Sequence, residues 1–549
     1  MPRCASWLDA LWHGPSSNAV GVPVLFFGFA SAVVARILHV WLLSSRQLAF
    51  GEEVREKEKW SELQSSVKEA SYRSRTSPSK DMEDLSTRAP GVSSASPEVA
   101  LHRRGGAEAE VGHREPHLPG LQRIHVKTFG CPHNQSDGEY LAGLLQDYGY
   151  TLVESLEEAD ACVINSCTVK HPSETRALNM VSQARQAGKG IVLAGCVPSG
   201  DRKLGEQMPD VSMLHVTQLD RIVEVVEETI KGHAVQLLDK RSALPALSLP
   251  KIRKNKMSEI ITINAGCLGN CTYCKTKMSR GKVVSYSIEE IIARANEAAA
   301  EGACQVELAS EDMGAYGLDI GTNIAELLLQ LSDQLAPGVM LRTGMTNPPF
   351  ILQHIDSIIE VLNRPNVHAF MHIPVQSGSD NVLRAMRREY TVGEFSYLAD
   401  RLKAGVPDMF LLTDVICGFP TESEEDWSET MALASKYRFH GAHISQFYAR
   451  PGTPAAKLKP LKSHIGKERY RQFADLMTSY DRNEGLLGKS ERVWFVDTEE
   501  SRGQSVGRTK AFAKVLVPRD DSLLGRSAMV QIESTSRIHV EGRVLGDIL

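Results

Sequence analysis

Short apolar runs alternate with helix-length amphipathic segments along most of this chain, and that alternation constrains its fold more than any other feature. From Arg123 the runs IHVKTF (124–129), ACVIN (161–165) and GIVLAG (190–195) appear. The first two are followed by the helical patterns SDGEYLAGLLQDYGY and PSETRALNMVSQARQAG. VSMLHV and TQLDRIVEVVEETIKG carry the series to Gly232. Strand–helix alternation implies parallel strands, because a crossover helix is what returns the chain to the same edge of a sheet. A flavodoxin-like α/β domain is therefore predicted over 121–233, followed by a linker to about Met257. A second series, EIITIN, CQVELAS, VMLRTG, HAFMHIPV, MFLLTDVI and AHISQFY, has helical patterns between its strands. Six strand–helix units predict a partial (β/α)6 barrel over 255–460. The tail strands RVWFVD, AFAKVLV, AMVQIE and RIHVEGRVL predict a small β-barrel over 485–549. The whole is a multidomain α/β chain, and 549 residues exceed what one core can serve.

The amino-terminal part reads differently. After a tail (1–18), residues 19–43 form an apolar stretch long enough for one membrane span, interrupted by Arg36 and His39. Arg46, Arg55, Lys57 and Lys59 follow it, whereas only Arg3 precedes it. The positive-inside rule then places the rest of the chain on the cytosolic side of a membrane, that of the endoplasmic reticulum or the mitochondrial outer membrane. A cleaved secretory or organellar signal and a buried helix are the competing readings. Residues 44–120, rich in Ser, Arg, Glu and Pro, read as a disordered linker. A transit peptide is the alternative, against which the acidic residues count.

Ten cysteines are too few for a disulfide scaffold in so long a chain, and their spacing suits metal ligation in a reducing compartment. Cys267, Cys271 and Cys274 fall within CLGNCTYC, directly after a barrel strand, where such folds place chemistry. Structural zinc usually takes four ligands in paired C-x2-C units, and no fourth Cys or His lies nearby. A [4Fe–4S] cluster on three thiolates leaves one iron open, able to chelate the amino and carboxylate groups of S-adenosylmethionine (SAM). Zinc remains the alternative. Gly266 and Gly269 permit the tight loop. Cys131, Cys167 and Cys196 lie at, or within two residues of, the ends of predicted parallel strands, where open sheets bind ligands. Convergence on a second cluster and three unrelated buried cysteines both fit that placement. Cys162, Cys304 and Cys417 read as buried residues, and Cys4 has no assigned role.

C-x3-C-x2-C with an aromatic before the last cysteine resembles the radical SAM superfamily. That resemblance implies a SAM amino-group site at Ser310-Glu311-Asp312, ribose contacts at Gln376 and Ser377, and adenine packing along Asp414 to Gly418, flanked by Tyr273. The segments FGC (129–131), NSCTV (165–169) and LAGCVP (193–198) resemble the amino-terminal domain of methylthiotransferases. This implies a second [4Fe–4S] cluster on Cys131, Cys167 and Cys196. GCLGNCTYCKTK (266–277), SEDMGAYGLDIGTN (310–323), GMTNPP (344–349), HIPVQS (372–377) and FYARPGTPAAK (447–457) resemble the eukaryotic and archaeal threonylcarbamoyladenosine tRNA methylthiotransferases. Thr421 departs from the pattern, where Gly is expected in a GFPGE-like turn. The resemblance covers about 123–549 and implies a cluster domain, a radical SAM core and a TRAM-like barrel. The implied reaction is 2-methylthiolation of N6-threonylcarbamoyladenosine-37 in tRNA, using two SAM molecules and an electron donor protein. Isopentenyladenosine or a ribosomal-protein aspartate is the rival substrate. A non-catalytic, membrane-tethered RNA-binding zinc protein is the rival class.

The net charge of −5 requires any RNA-binding surface to be local, and nothing points to DNA. Lys251, Arg253, Lys254 and Lys256 precede the cluster strand, and Lys275, Lys277, Arg280 and Lys282 follow the loop. These are expected to neutralise anticodon-stem phosphates, with Arg508, Lys510 and Lys514 gripping the tRNA body. Trp494 and Phe512 are expected in the tail barrel's core.

Overall fold

The computed structural model describes residues 101–103, 120–168, 171–201 and 203–549. The tail (1–18), the expected anchor (19–43) and most of the expected linker (44–120) lie outside the described residues. Among the described residues no helix is long and apolar enough to cross a membrane. One piece of the expected disordered linker is ordered: Leu101–Arg103 is a strand, paired antiparallel with His233–Leu237.

Six parallel strands form the amino-terminal sheet. Across it they run Thr151–Leu152, Arg123–Thr128, Ala161–Ser166, Gly190–Gly195, Ser212–Leu214 and His233–Leu237. The chain first steps outward to Thr151–Leu152, then crosses back to Ala161–Ser166 beside the starting strand. That reversal is the flavodoxin-type switch point, where an open sheet parts to admit a ligand. The helix Pro132–Asp147 begins four residues before the pattern that predicted it, with Pro132 in its first turn, where the missing N–H costs nothing.

The six predicted barrel strands are Ser258–Thr262, Gln305–Ala309, Met340–Arg342, Phe370–His372, Phe410–Cys417 and Gly441–Gln446. They form two parallel three-stranded sheets. The bridges Leu341–Val367 and Met345–His372 join these into one curved wall. Amphipathic helices cover its outside; Ile288–Ala300 and Glu424–Tyr437 both start with reciprocal capping boxes, at Ser287/Glu290 and Ser423/Asp426. The barrel unit extends past residue 460. Helix Ser463–Thr478 packs Phe473 and Met477 into the same core, and Arg469 pairs with the buried Glu422.

The expected linker before Met257 is packed rather than loose. Tyr140 donates its hydroxyl to the Leu247 carbonyl at 3.0 Å. A Cβ on Gly143 would stand 2.2 Å from the Pro250 carbonyl oxygen, so this segment lies directly against the helix. Its basic residues correct the RNA expectation. The Lys251 side chain is 1% exposed, 2.7 Å from Glu259 and 3.4 Å from Glu139. Arg253 pairs with Glu301 at 2.8 Å and lies 3.6 Å from Glu259, which Arg294 also binds. A fully buried carboxylate is tolerable only when paired, and Glu259 claims these cations for that purpose. Of this group Lys254, Lys256 and Lys282 are exposed.

The carboxyl-terminal barrel is closed by five strands, Ser490–Glu499, Gln504–Thr509, Lys514–Pro518, Ser527–Thr535 and Val540–Gly546. The second was not foreseen, since QSVGRT carries a single large apolar residue. This unit seats against the first. Phe512, at a backbone φ of 63°, lies 4.6 Å from the Phe370 ring and 5.1 Å from the His368 ring. Ala369 N–H donates to the Lys510 carbonyl at 2.8 Å. The Lys510 ammonium donates to the carbonyls of Leu362 and Val367. Arg508 lies over Phe512, and Lys514 lies 3.8 Å from Glu499. Arg508 and Lys510 are therefore engaged within the protein, while Lys514 stays half-exposed. Phe512 is buried as expected, at the seam between the two units, and Trp494 is half-buried beside His368.

Burial, with Arg342 and Lys510 nearby, pushes the His368 imidazole down to about 3. The unfolded chain takes up this proton below about 6.5, whereas the folded one does not, so stability is full above that pH and falls as pH drops toward 3. Between pH 7 and pH 5 the loss is about 2 kcal/mol from this residue. Urea titrations of the parent chain and of His368→Gln should show a smaller acid loss in the variant.

Candidate active site

A single cavity of about 600 Å³ is lined by Cys131, Cys167, Cys196, Cys267, Cys271 and Cys274. Its walls come from the switch point of the first sheet and the carboxyl-terminal mouth of the partial barrel. The first trio follows the strands Arg123–Thr128, Ala161–Ser166 and Gly190–Gly195, which are neighbours in the sheet although distant in sequence. Parallel strands bring the residues after them to one edge.

Local backbone explains the close approach of these thiols. Gly130, Gly195 and Gly266, each directly before a cysteine, all have positive φ (120°, 92° and 89°). A Cβ on Gly130 would sit 2.7 Å from Cys167 Sγ. Cys131 and Cys167 hydrogen-bond through their thiols, and Cys131 occupies the N-cap position of the helix Pro132–Asp147 without a side-chain cap bond. Asn134 binds the first two loops together by donating to the carbonyls of Ser166 (2.7 Å) and Phe129 (3.1 Å), while Cys196 Sγ lies 3.4 Å from its Oδ1.

Arg280 locks this edge to the barrel. Its side chain is 3% exposed, and it donates to Asp137, to Asn134 Oδ1 (2.9 Å), to Cys196 Sγ (3.4 Å) and to His133 Nε2 (2.7 Å). Its Nε lies 2.9 Å from Glu311 Oε1. Arg280 can only donate, so His133 Nε2 accepts and its Nδ1 faces Glu311 at 2.7 Å. Arg280 is thus not a phosphate contact. Lys275 is likewise buried, and Lys277 donates to Leu268 O and Asn270 Oδ1 within the cluster loop.

Arg388 plays the equivalent part at the second trio. It donates to Cys271 Sγ at 3.1 Å, to the Tyr273 hydroxyl at 3.4 Å, to Tyr390 and to Asn347. Asn347 in turn donates its amide (2.7 Å) and backbone N–H (3.0 Å) to Asp312, which burial raises to about 6 despite those bonds.

The residues expected at SAM are spread over different settings. Tyr273, Ser310, Glu311 and Gln376 line the cavity. Glu311 is engaged by its partners above and by the Gly266 N–H at 3.0 Å. Gln376, at φ 67°, bridges to the neighbouring strand through Asp414 O. Ser377 is fully buried behind the wall, its hydroxyl 3.3 Å from that of Thr430. Gly418, at φ 75°, donates its N–H to Glu422 in the turn that contains Thr421. Sequence reasoning missed His133 and Arg388, and also His372, Asp414 and His443 as a group. The glycine before three of the cysteines was the available signal for the loops. Nothing in the spacing announced the ion partners.

The donor set fits iron–sulfur clusters. All six thiols are free. Burial holds Cys196 and Cys267 up at about 12, and Cys131 rises through its bond to Cys167 and through burial. Thiols kept protonated in such a cluster become ligands when a metal centre supplies the compensating charge. In the cluster loop, a Cβ on Gly269 would lie 3.6 Å from the sulfurs of both Cys267 and Cys271, so the two face the same small space.

Residues 123–215 match the family described as Uncharacterized protein family UPF0004, and residues 261–434 match the Radical SAM superfamily. The chain is 48% identical over 437 residues to the threonylcarbamoyladenosine tRNA methylthiotransferase of Drosophila melanogaster, covering 78% of this chain and 79% of that protein. It is 45% identical over 438 residues to the protein of that name from Homo sapiens, covering 78% and 75%. It is also 33% identical over 429 residues to a probable threonylcarbamoyladenosine tRNA methylthiotransferase of Pyrococcus horikoshii, covering 77% and 100%.

Removing Arg280 strands Asp137 and Glu311 without their cation. Arg280→Ala should lower stability by about 3–5 kcal/mol, read from anaerobic urea denaturation. A change below about 1 kcal/mol would show that the cluster contributes little to joining the two units.

Proposed function

The chain belongs to the threonylcarbamoyladenosine tRNA methylthiotransferase family, and on that footing we propose that it attaches a methylthio group to C2 of N6-threonylcarbamoyladenosine-37 in transfer RNA. The observation that carries this reading is the meeting of six cysteines from two domains in one cavity. The adenine C2–H bond is strong and unactivated, so acid–base groups alone are a poor route to it. When bound, a [4Fe–4S] cluster on Cys267, Cys271 and Cys274 would supply, with SAM and an electron donor protein, one-electron chemistry able to break that bond, and a second cluster held by Cys131, Cys167 and Cys196 would carry the sulfur that is methylated and transferred.

The chain's own residues hold this arrangement. Arg280, buried, donates to Cys196 and Arg388, half-buried, to Cys271, so each trio carries one cation to offset thiolate charge. The Arg280–Glu311–His133 cluster keeps the two walls in register, so that a base entering the cavity would have both trios within its walls. The enclosing walls limit water around reactive species. Of the cations expected at phosphate before and after the cluster loop, Lys254, Lys256 and Lys282 are exposed, and with Arg387 at the cavity lining they are available to meet phosphate. In the same reading, residues 19–43 tether the protein to a membrane with its folded units in the cytosol, supported by the apolar run and the basic residues after it. A carboxyl-terminal reporter found in the lumen would overturn that topology.

Anaerobic reconstitution of the full chain should give about eight irons, as two four-iron clusters require. Cys131→Ala, Cys167→Ala and Cys196→Ala should each fall to about four irons, keep SAM cleavage and lose the 2-methylthio nucleoside in tRNA mass spectrometry. Methylthiolation surviving any of the three would defeat the second-cluster assignment. Loss of a 2-methylthio-isopentenyladenosine signal instead would identify the rival substrate.

A further inference from the structure

His372, Asp414 and His443 lie on three consecutive barrel strands and line the cavity, yet touch neither cysteine trio. Side chains alternate across each strand, so Phe370 and His372, Leu412 and Asp414, and His443 and Ser445 face inward as successive layers. Phe370 packs on Phe512, the residue at the seam with the tail barrel, and His372 stands one layer above it. The three polar residues therefore meet on the inner face of one three-stranded part of the wall.

Their bonding leaves them only half satisfied. His372 Nε2 donates to Asp414 Oδ1 at 2.8 Å and His443 Nδ1 donates to the same oxygen at 3.0 Å. Burial opposes the charge of Asp414, but these two bonds outweigh it and hold the carboxyl ionised, well below its usual range. The rings meet edge to face, with centroids 5.2 Å apart. His372 Nδ1 and His443 Nε2 meet no protein hydrogen-bond partner among the described residues. The adjoining inward positions on the same strands, Phe370, Leu412 and Ile416, are apolar, so the fold alone does not call for a carboxylate and two imidazoles here.

We propose that this triad recognises the threonylcarbamoyl group on the target base, with Asp414 orienting two imidazoles whose outer nitrogens bind the group's carboxylate and hydroxyl. The inference rests on the functional reading above and assigns residues to its selectivity. A threonylcarbamoyl group offers an anion and a hydroxyl; an imidazolium N–H donates to the first, and a neutral imidazole nitrogen accepts from the second. An isopentenyl group offers neither and would take water from the outer nitrogens without replacing its hydrogen bonds, which is how a polar pocket rejects an apolar analogue. His372 and His443 contact the substrate in this scheme and Asp414 positions them, all three serving the substituent rather than C2.

The test uses the full-length, cluster-loaded chain and anticodon stem-loop RNAs carrying threonylcarbamoyladenosine, adenosine or isopentenyladenosine at the target position, with affinity read by fluorescence anisotropy. The parent chain should prefer the threonylcarbamoyl RNA over each of the others by about tenfold or more, the effect of one charged hydrogen bond. His443→Ala, a change at a half-exposed side chain, and Asp414→Asn should bring that ratio close to one. Iron content and affinity for the unmodified RNA should stay as in the parent. Variants that keep the parent's preference would overturn the inference. So would one equivalent of zinc that binds the parent and is lost with His443→Ala, because the same three residues would then be a metal site. A parent ratio near one also overturns it; a product assay on the threonylcarbamoyl RNA then tells whether the broader functional reading falls with it.

Discussion

Arg280 carries a full charge in a place water does not reach, and the geometry of the whole site depends on how that charge is neutralised. Asp137 and His133 come from the first helix of the amino-terminal domain, Glu311 from the end of a barrel strand, and Arg280 itself from the segment after the cluster loop. Each of these groups would be costly to bury alone. Together they form a network that is satisfied only when the two domains meet in one register. The same guanidinium reaches Cys196, so the contact that joins the domains also sets the first cysteine trio against the second.

A second buried network supports this one from behind. Glu259, on the first barrel strand, is fully enclosed and gathers Lys251, Arg253 and Arg294. Lys251 also lies beside Glu139, on the helix that begins at the site. The packed linker thereby ties the helix bearing His133, Asn134 and Asp137 to the barrel along its length. Further down, the tail barrel seats Phe512 against Phe370 and anchors Lys510 on two core carbonyls. The cavity is consequently held by ion pairs at its upper rim and by aromatic packing beneath its floor.

The two cysteine trios and the His372–Asp414–His443 group line different parts of one cavity. The cysteines and their paired arginines are at the rim, where the two domains face each other. The His372–Asp414–His443 group lies on strands contributed by the barrel alone.

How much was legible beforehand follows from the range of each interaction. Strand–helix alternation is local, and it determined the two α/β units, their six barrel strands and the ends of the strands where Cys131, Cys167 and Cys196 lie. The loop CLGNCTYC is also local, and its spacing alone marks a three-thiolate ligand set. Cationic residues misled: Lys251, Arg253, Arg280 and Lys510 read as phosphate contacts because sequence shows a charge but not its counter-charge. Their partners Glu259, Glu311 and the carbonyls of Leu362 and Val367 are distant in the chain or carry no side-chain signal. The His372–Asp414–His443 group escaped notice for the same reason, since each member lies on a different strand. Periodicity and short-range spacing were thus written in the chain itself. Which charges are buried together, and which face an incoming base, was settled only when non-local pairing excluded water from between them.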